Sequence, residues 1–247
     1  MKTLLFLLVP SILVGKELTA CYEVYFSFIP VAESCVIYSE EGNRFRVKAW
    51  AKTKTVARIV KPVNSWGRSE LVNMKVRGFT LFQREGSYVR YHSYTFESKG
   101  IRYRIVRYKK EGDTVKEGFF TTSSYLLDPF SATLLIYIDT PNFRGGALPV
   151  FYDAKIQSIK YRTLGEEDIE VFGKKYRTWK VLLVPEFDTK GLLRPKGEWH
   201  LWVDKDTSVP VKLDVGFSIG RVKVYLKRID GYRMLLKEAR DEQAGVF

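Results

Sequence analysis

Gly216-Phe217-Ser218-Ile219-Gly220 spells G-x-S-x-G, the pattern of a nucleophile elbow. In an α/β hydrolase that serine sits on a strand-to-helix turn, with its acid and histidine partners later in the chain. Here strand-like sequence precedes it (Val209 to Val215) and follows it, and the chain's two histidines, His92 and His200, both come earlier. The context marks a glycine-flanked hairpin turn. His92 stands among Tyr91 and Tyr94, and His200 between Trp199 and Trp202, each without the clustered His, Cys or carboxylate partners a metal needs. Asp204 and Asp206 imitate part of a calcium loop but lack its glycine and closing glutamate. Glu166-Glu167-Asp168 is expected as a solvated acidic turn. No catalytic, metal-binding or cofactor-binding residue is assigned, and a non-enzymatic role is expected.

Charge is more informative. The formal net charge is +13, and Lys2 and Lys16 against Glu17 account for little of it, so the folded domain is itself basic. Arg46 and Lys48, Arg102 and Arg104, and Arg221 and Lys223 alternate with apolar residues. Such faces guard strand edges against aggregation, or they attract an anionic partner by their summed field. These six residues are the candidate anion-facing set. Outside the cytoplasm the candidate anions are lipid head groups, lipopolysaccharide phosphates or acidic glycans, and nucleic acid is not expected. Asn and Gln are scarce beside Lys, Arg and Glu, a balance seen in thermophile proteins.

The N-terminus explains why the compartment is taken to be extracytoplasmic. Met1-Lys2-Thr3 is followed by an apolar run from Leu4 to Gly15, a signal-peptide pattern. The run is shorter than the roughly 20 residues a spanning helix requires. Leu18-Thr19-Ala20-Cys21 fits a bacterial lipobox, so Cys21 is a candidate lipidation site, with ordinary cleavage nearby as the alternative. Residues 1–20 are then the cleaved signal. Two cysteines in an oxidising compartment can also pair. A hairpin of Tyr22–Ile29 and Glu33–Ser39 around Pro30, however, sets Cys21 opposite the far end of the second strand, away from Cys35.

The elements that would position these residues are strands. Phe45-Arg46-Val47-Lys48-Ala49-Trp50, Ile101-Arg102-Tyr103-Arg104-Ile105 and Arg221-Val222-Lys223-Val224-Tyr225 alternate apolar and polar groups, the period of a half-buried strand. Turn signals punctuate them at Glu41-Gly42-Asn43, Glu85-Gly86-Ser87, Lys99-Gly100, Glu111-Gly112-Asp113, Phe172-Gly173-Lys174 and Asp230-Gly231. The expected fold is all-β: one antiparallel meander over residues 21–236, curled into a barrel, half-barrel or sandwich. Two short helices are expected. One lies within Ala51 to Val60; the other starts at Asp128-Pro129, an N-cap followed by proline at the first helical position. Residues 237–247 are expected as a polar tail that frays.

Four segments, in order, carry a family resemblance. They are Tyr22-Glu23-Val24 through Ile29-Pro30-Val31-Ala32; Leu127-Asp128-Pro129-Phe130-Ser131-Ala132; Leu148-Pro149-Val150-Phe151-Tyr152-Asp153; and Trp202-Val203-Asp204-Lys205-Asp206 through Val209-Pro210-Val211, closing with Ile219-Gly220. The chain resembles the domain-of-unknown-function 3108 family of exported bacterial proteins. That resemblance implies an antiparallel β fold in the periplasm or on the outer membrane, and it carries over no activity. The expected role is binding of a lipid, glycolipid or anionic envelope surface; the alternative is an assembly factor that binds another envelope protein along a sheet edge.

Overall fold

Strict alternation makes each strand one-faced, and one-faced strands must roll so that their apolar sides share an interior. The computed structural model describes residues 15–54, 62–140, 145–186, 197–217 and 220–243. The strands are β1 (Lys16–Phe26), β2 (Ile29–Glu41), β3 (Arg44–Thr53), β4 (Asn64–Val72), β5 (Lys75–Glu85), β6 (Tyr88–Glu97), β7 (Gly100–Tyr108) and β8 (Thr114–Thr121). Helix α1 (Pro129–Asp139) follows, then β9 (Gly146–Tyr152), β10 (Lys155–Val171), β11 (Lys174–Glu186), β12 (Trp199–Asp204), β13 (Pro210–Phe217), β14 (Gly220–Gly231) and helix α2 (Leu235–Gln243).

All fourteen strands form one sheet, in the order β8-β7-β6-β5-β4-β3-β2-β1-β14-β13-β12-β11-β10-β9. Every neighbouring pair is antiparallel, so two meanders join where β14 lies along β1. The sheet is not closed by a ladder between its ends. The ends nevertheless meet: Phe120 of β8 and Phe151 of β9 stand 5.2 Å apart, ring centre to ring centre. The outer edge of β9 is bonded instead by Leu127, which donates to Pro149 O at 3.0 Å and accepts from Phe151 N at 2.7 Å.

Helix α1 lies inside this roll. None of its residues is exposed, and the buried ones occupy two sides, as expected of an interior helix rather than an amphipathic surface one. Leu134 and Ile138 pack with Leu18, Tyr38 and Leu226. Ala132 and Ile136 pack with Ile159, Val181 and Leu201, while Phe130 meets Phe79 edge to face at 5.5 Å.

Several expectations need correction. The first hairpin turns at Ser27-Phe28, not around Pro30, with Ser27 at φ 56. That earlier turn sets Cys21 directly opposite Cys35, and the two form a disulfide. The boundary expected after residue 20 falls inside β1: Lys16 to Ala20 pair with β2, and Leu18 and Ala20 are fully buried. Ala51 to Thr53 end β3 instead of opening a helix, and residues 55–60 lie outside the described residues. Glu166-Glu167-Asp168 lies within β10, just after a register shift at Leu164, not in a turn. Of the stretch expected to fray, residues 237–243 belong to α2, because Leu235, Leu236 and Ala239 share one face and bury it in the cluster of Leu18, Tyr38, Leu134 and Ile138; residues 244–247 lie outside the described residues. Met1 to Val14 lie outside the described residues.

Candidate functional site

The start of α1 is fixed by a buried carboxylate. Asp128 Oδ1 accepts from Phe130 N at 2.8 Å and Ser131 N at 3.2 Å, while Ser131 Oγ accepts from Asp128 N at 3.0 Å, a reciprocal capping box. Ser69 Oγ of β4 donates to Asp128 Oδ2 at 2.6 Å and ties the helix to the sheet wall. Burial pushes the Asp128 carboxyl above its ordinary range, against the opposing pull of these hydrogen bonds. Beside it, Gly67 allows close approach: a Cβ there would lie 2.9 Å from the Phe130 ring and 2.8 Å from Thr80 O.

So anchored, α1 does not fill the roll. Between it and the sheet lies a cavity of about 320 Å³, near the lower end of the range for small-molecule sites. Val36 and Tyr38 of β2 and Val47 and Ala49 of β3 form one wall. Ile159, Leu183, Pro185 and Trp199 of β10 to β12 form the opposite wall, and Phe130, Thr133, Leu134 and Tyr137 of α1 close it. The polar atoms among these side chains belong to Tyr38, Tyr137, Thr133 and Trp199. Thr133 Oγ1 turns back to its own helix, donating to Phe130 O at 2.9 Å, and Trp199 Nε1 donates to Gly216 O at 3.1 Å. Tyr38 and Tyr137 are the phenols of the lining, and Tyr137 is hydrogen-bonded to Thr133. Burial raises both, Tyr137 to about 12, so they are neutral hydroxyls at any ordinary pH. Tyr22, buried close enough to perturb Tyr38, has no hydrogen-bond partner for its Oη among the described residues. The chemistry on offer is an apolar slot with a neutral hydroxyl corner.

A second polar cluster is buried at the seam. His92 is wholly buried on β6, stacks on Tyr152 of β9 at 5.0 Å, and its Nδ1 lies 2.8 Å from Tyr94 Oη. Tyr94 Oη accepts from Asp153 N at 3.1 Å and shares a hydrogen bond with Nδ1, while His92 Nε2 has no partner among the described residues. Asp153 Oδ1 lies 3.4 Å from Arg90 and 3.8 Å from Arg107. Desolvation lowers the His92 pKa to about 4, so the ring is neutral. These groups knit β6 and β7 to the β9–β10 turn. Sequence spacing showed Tyr94 beside His92 but not Asp153 or Tyr152, which come about sixty residues later.

The other residues singled out by sequence are dispersed. His200 sits on the outer face of β12, the opposite side of the sheet from His92. Asp204 Oδ2 accepts from Thr207 N and Oγ1, closing the β12–β13 turn, and Asp206 pairs with Arg177 at 2.9 Å. Glu166 and Glu167 pair with Lys205 and Lys180. Gly216 and Phe217 end β13 and Gly220 opens β14, so the glycine-flanked segment joins two strands; Ser218 lies outside the described residues.

The six cations of the anion-facing set do not converge. They lie on β3, β7 and β14, with β3 four strands from β7 and three from β14, or about 14–19 Å at the usual strand spacing. Arg46 pairs with Glu41, Arg102 with Glu97, Arg104 with Glu117 and Arg221 with Asp214. Lys48 and Lys223 have no ion-pair partner among the described residues. Four of the six are thus engaged locally, the outcome of cross-strand pairing on a solvated face.

The segments that build the seam and the helix cap lie within the span matched by a known family. A family model described as "Protein of unknown function (DUF3108)" matches residues 21–227. The chain belongs to that family. No curated protein matches the chain. Among solved structures it is similar to a crystal structure described as a beta-barrel-like protein of domain of unknown function DUF1849 from Brucella abortus. Identity is 8%, the alignment covers 89% of this chain and 98% of the other, and the TM-score is 0.55. At that identity the likeness is one of fold alone. Among the described residues, no helix is long and apolar enough to cross a membrane.

Proposed function

We propose that this DUF3108 protein is an exported, non-catalytic binder of an apolar chain, such as the acyl part of a lipid or glycolipid, held between α1 and the sheet. The cavity carries the reading. Its walls are aliphatic and aromatic, its phenols are neutral, and no charged side chain lines it. Taking a hydrocarbon chain out of water is worth about 0.8 kcal/mol per buried CH₂, whereas a charged head group there would lose its hydration without compensation.

Export rests on the apolar leader, and the Cys21–Cys35 disulfide supports an oxidising compartment. The burial of Leu18 and Ala20 in the core supports signal cleavage ahead of Lys16, and the disulfide at Cys21 supports a cysteine that carries no lipid. Native mass spectrometry of the protein purified from a membrane-containing host tests the binding. A co-purifying lipid adduct, removed by delipidation and restored by added fatty acid, is expected. A protein that emerges and remains free of lipid contradicts it.

One observation favours a second reading. β8 ends the sheet and, among the described residues, has a ladder partner only in β7. An envelope protein adding a strand there would make this an assembly factor. Proline substitutions along β8 that abolish a pull-down partner while sparing lipid uptake would favour it.

A further inference from the structure

Four consecutive strands carry an aromatic residue at one level of the sheet's outer face. Trp50 of β3 lies opposite Trp66 of β4, Trp66 opposite Phe82 of β5, and Phe82 opposite Tyr91 of β6. Val106 and Val115 continue the row across β7 and β8. The residues alternating with them, Val47, Gly67, Phe79 and His92, face the interior. Trp66 and Phe82 stack at 6.1 Å, yet Trp66 remains 47% exposed and Trp50 36%. No described part of the chain covers them.

Cations flank the row. At the next level on one side Lys48 stands opposite Arg68, and on the other Lys52 and Arg84 occupy β3 and β5. Glu33 lies opposite Lys52. Lys48, Arg68 and Arg84 are exposed and have no ion-pair partner among the described residues. This separates them from Arg46, Arg102 and Arg104, whose charges are spent on neighbouring carboxylates.

Cross-strand aromatic pairs stabilise a sheet by themselves, but that role does not call for exposure or for unpaired cations on either side. A strip one residue wide and already about half buried offers far less than the roughly 800 Å² per partner of a standard protein interface. Tryptophan and tyrosine favour the head-group level of a bilayer, where Lys and Arg beside them meet lipid phosphates. We propose that the Trp50–Trp66–Phe82–Tyr91 row, with Lys48, Arg68 and Arg84, is the surface by which the protein docks on an anionic phospholipid bilayer. The inference stands independently of the cavity.

Co-sedimentation with phosphatidylcholine–phosphatidylglycerol vesicles, against pure phosphatidylcholine vesicles, tests it. The mature protein is expected to bind the mixed vesicles, to release them in high salt, and to bind the neutral ones weakly. Each charge removed lowers partitioning about fivefold, so Lys48→Gln/Arg68→Gln loses about 25-fold with an unchanged Tm. Trp50→Ser/Trp66→Ser loses binding as well. The charge variant keeps the test clear of misfolding, since it leaves the aromatic stack in place. Equal binding to both vesicle types, unchanged binding by either variant, or a dimer abolished by the tryptophan variant with no vesicle binding at all would overturn the proposal.

Discussion

Cys21 of β1 and Cys35 of β2 face each other across the first hairpin and are joined by a disulfide. The bond closes a loop with a sequence separation of 14, and restricting such a loop in the unfolded chain is worth about 3 kcal/mol. Cys21→Ser/Cys35→Ser is therefore expected to lose about that much unfolding free energy in urea, and reductant should cause the same loss only in the wild type. An intact mass showing two free thiols, or an acyl adduct on Cys21, would contradict the pairing.

The cap of α1 separates shape from charge. Asp128→Ala strands Ser69 and two helix N–H groups in the interior and is expected to cost about 2 kcal/mol or more. Asp128→Asn keeps an acceptor without the buried charge and should cost less. The folded carboxyl titrates above the unfolded value of 3.8, so the native state holds the proton more tightly and stability declines as pH rises through that window. The Asn variant should lack that decline, and denaturation midpoints measured across acid pH decide it.

His92 acts in the opposite sense. Its folded pKa of about 4 lies below the ordinary 6.5, so the unfolded chain binds the extra proton. Stability present above pH 6.5 is lost as pH falls toward 4, by about 3 kcal/mol in all. His92→Phe keeps the stack on Tyr152 and should flatten this acid limb, at some cost at neutral pH from the orphaned Tyr94 hydroxyl. A variant whose stability falls as steeply as the wild type below pH 6.5 would place the acid sensitivity elsewhere.

Helix α2 is part of the core. Leu236→Ala is expected to cost about 3 kcal/mol, as for other buried leucines, whereas Asp241→Ala, on the exposed side, should change stability by under about 0.5 kcal/mol. Comparable small losses from both would mean that the helix is peripheral.

The strands with clean alternation were legible in sequence, as was the start of α1 at Asp128-Pro129, because both signals are local. Turns marked by glycine were legible too. The turns at Asn73-Met74 and Asp153-Ala154 were not: there non-glycine residues take φ of 48, 57, 52 and 59, held by the hairpins around them. The same blindness at Ser27-Phe28 shifted the first hairpin and hid the disulfide. Of the cavity, only the helix start was readable. Tyr38, Ala49, Tyr137 and Trp199 reach it from β2, β3, α1 and β12, and no short-range spacing links them. The aromatic row was hidden for the same reason, since it exists only once the register of four strands is set.

If an apolar chain sits between α1 and the sheet as proposed, a side chain that fills that space removes the binding. Delipidated protein titrated with a fluorescent fatty acid should show saturable uptake of one molecule. Ala49→Phe, whose ring would project from β3 into the cavity, should abolish that uptake while leaving the thermal midpoint near that of the wild type. Absence of uptake by the wild type, or uptake undiminished by Ala49→Phe, would contradict the account.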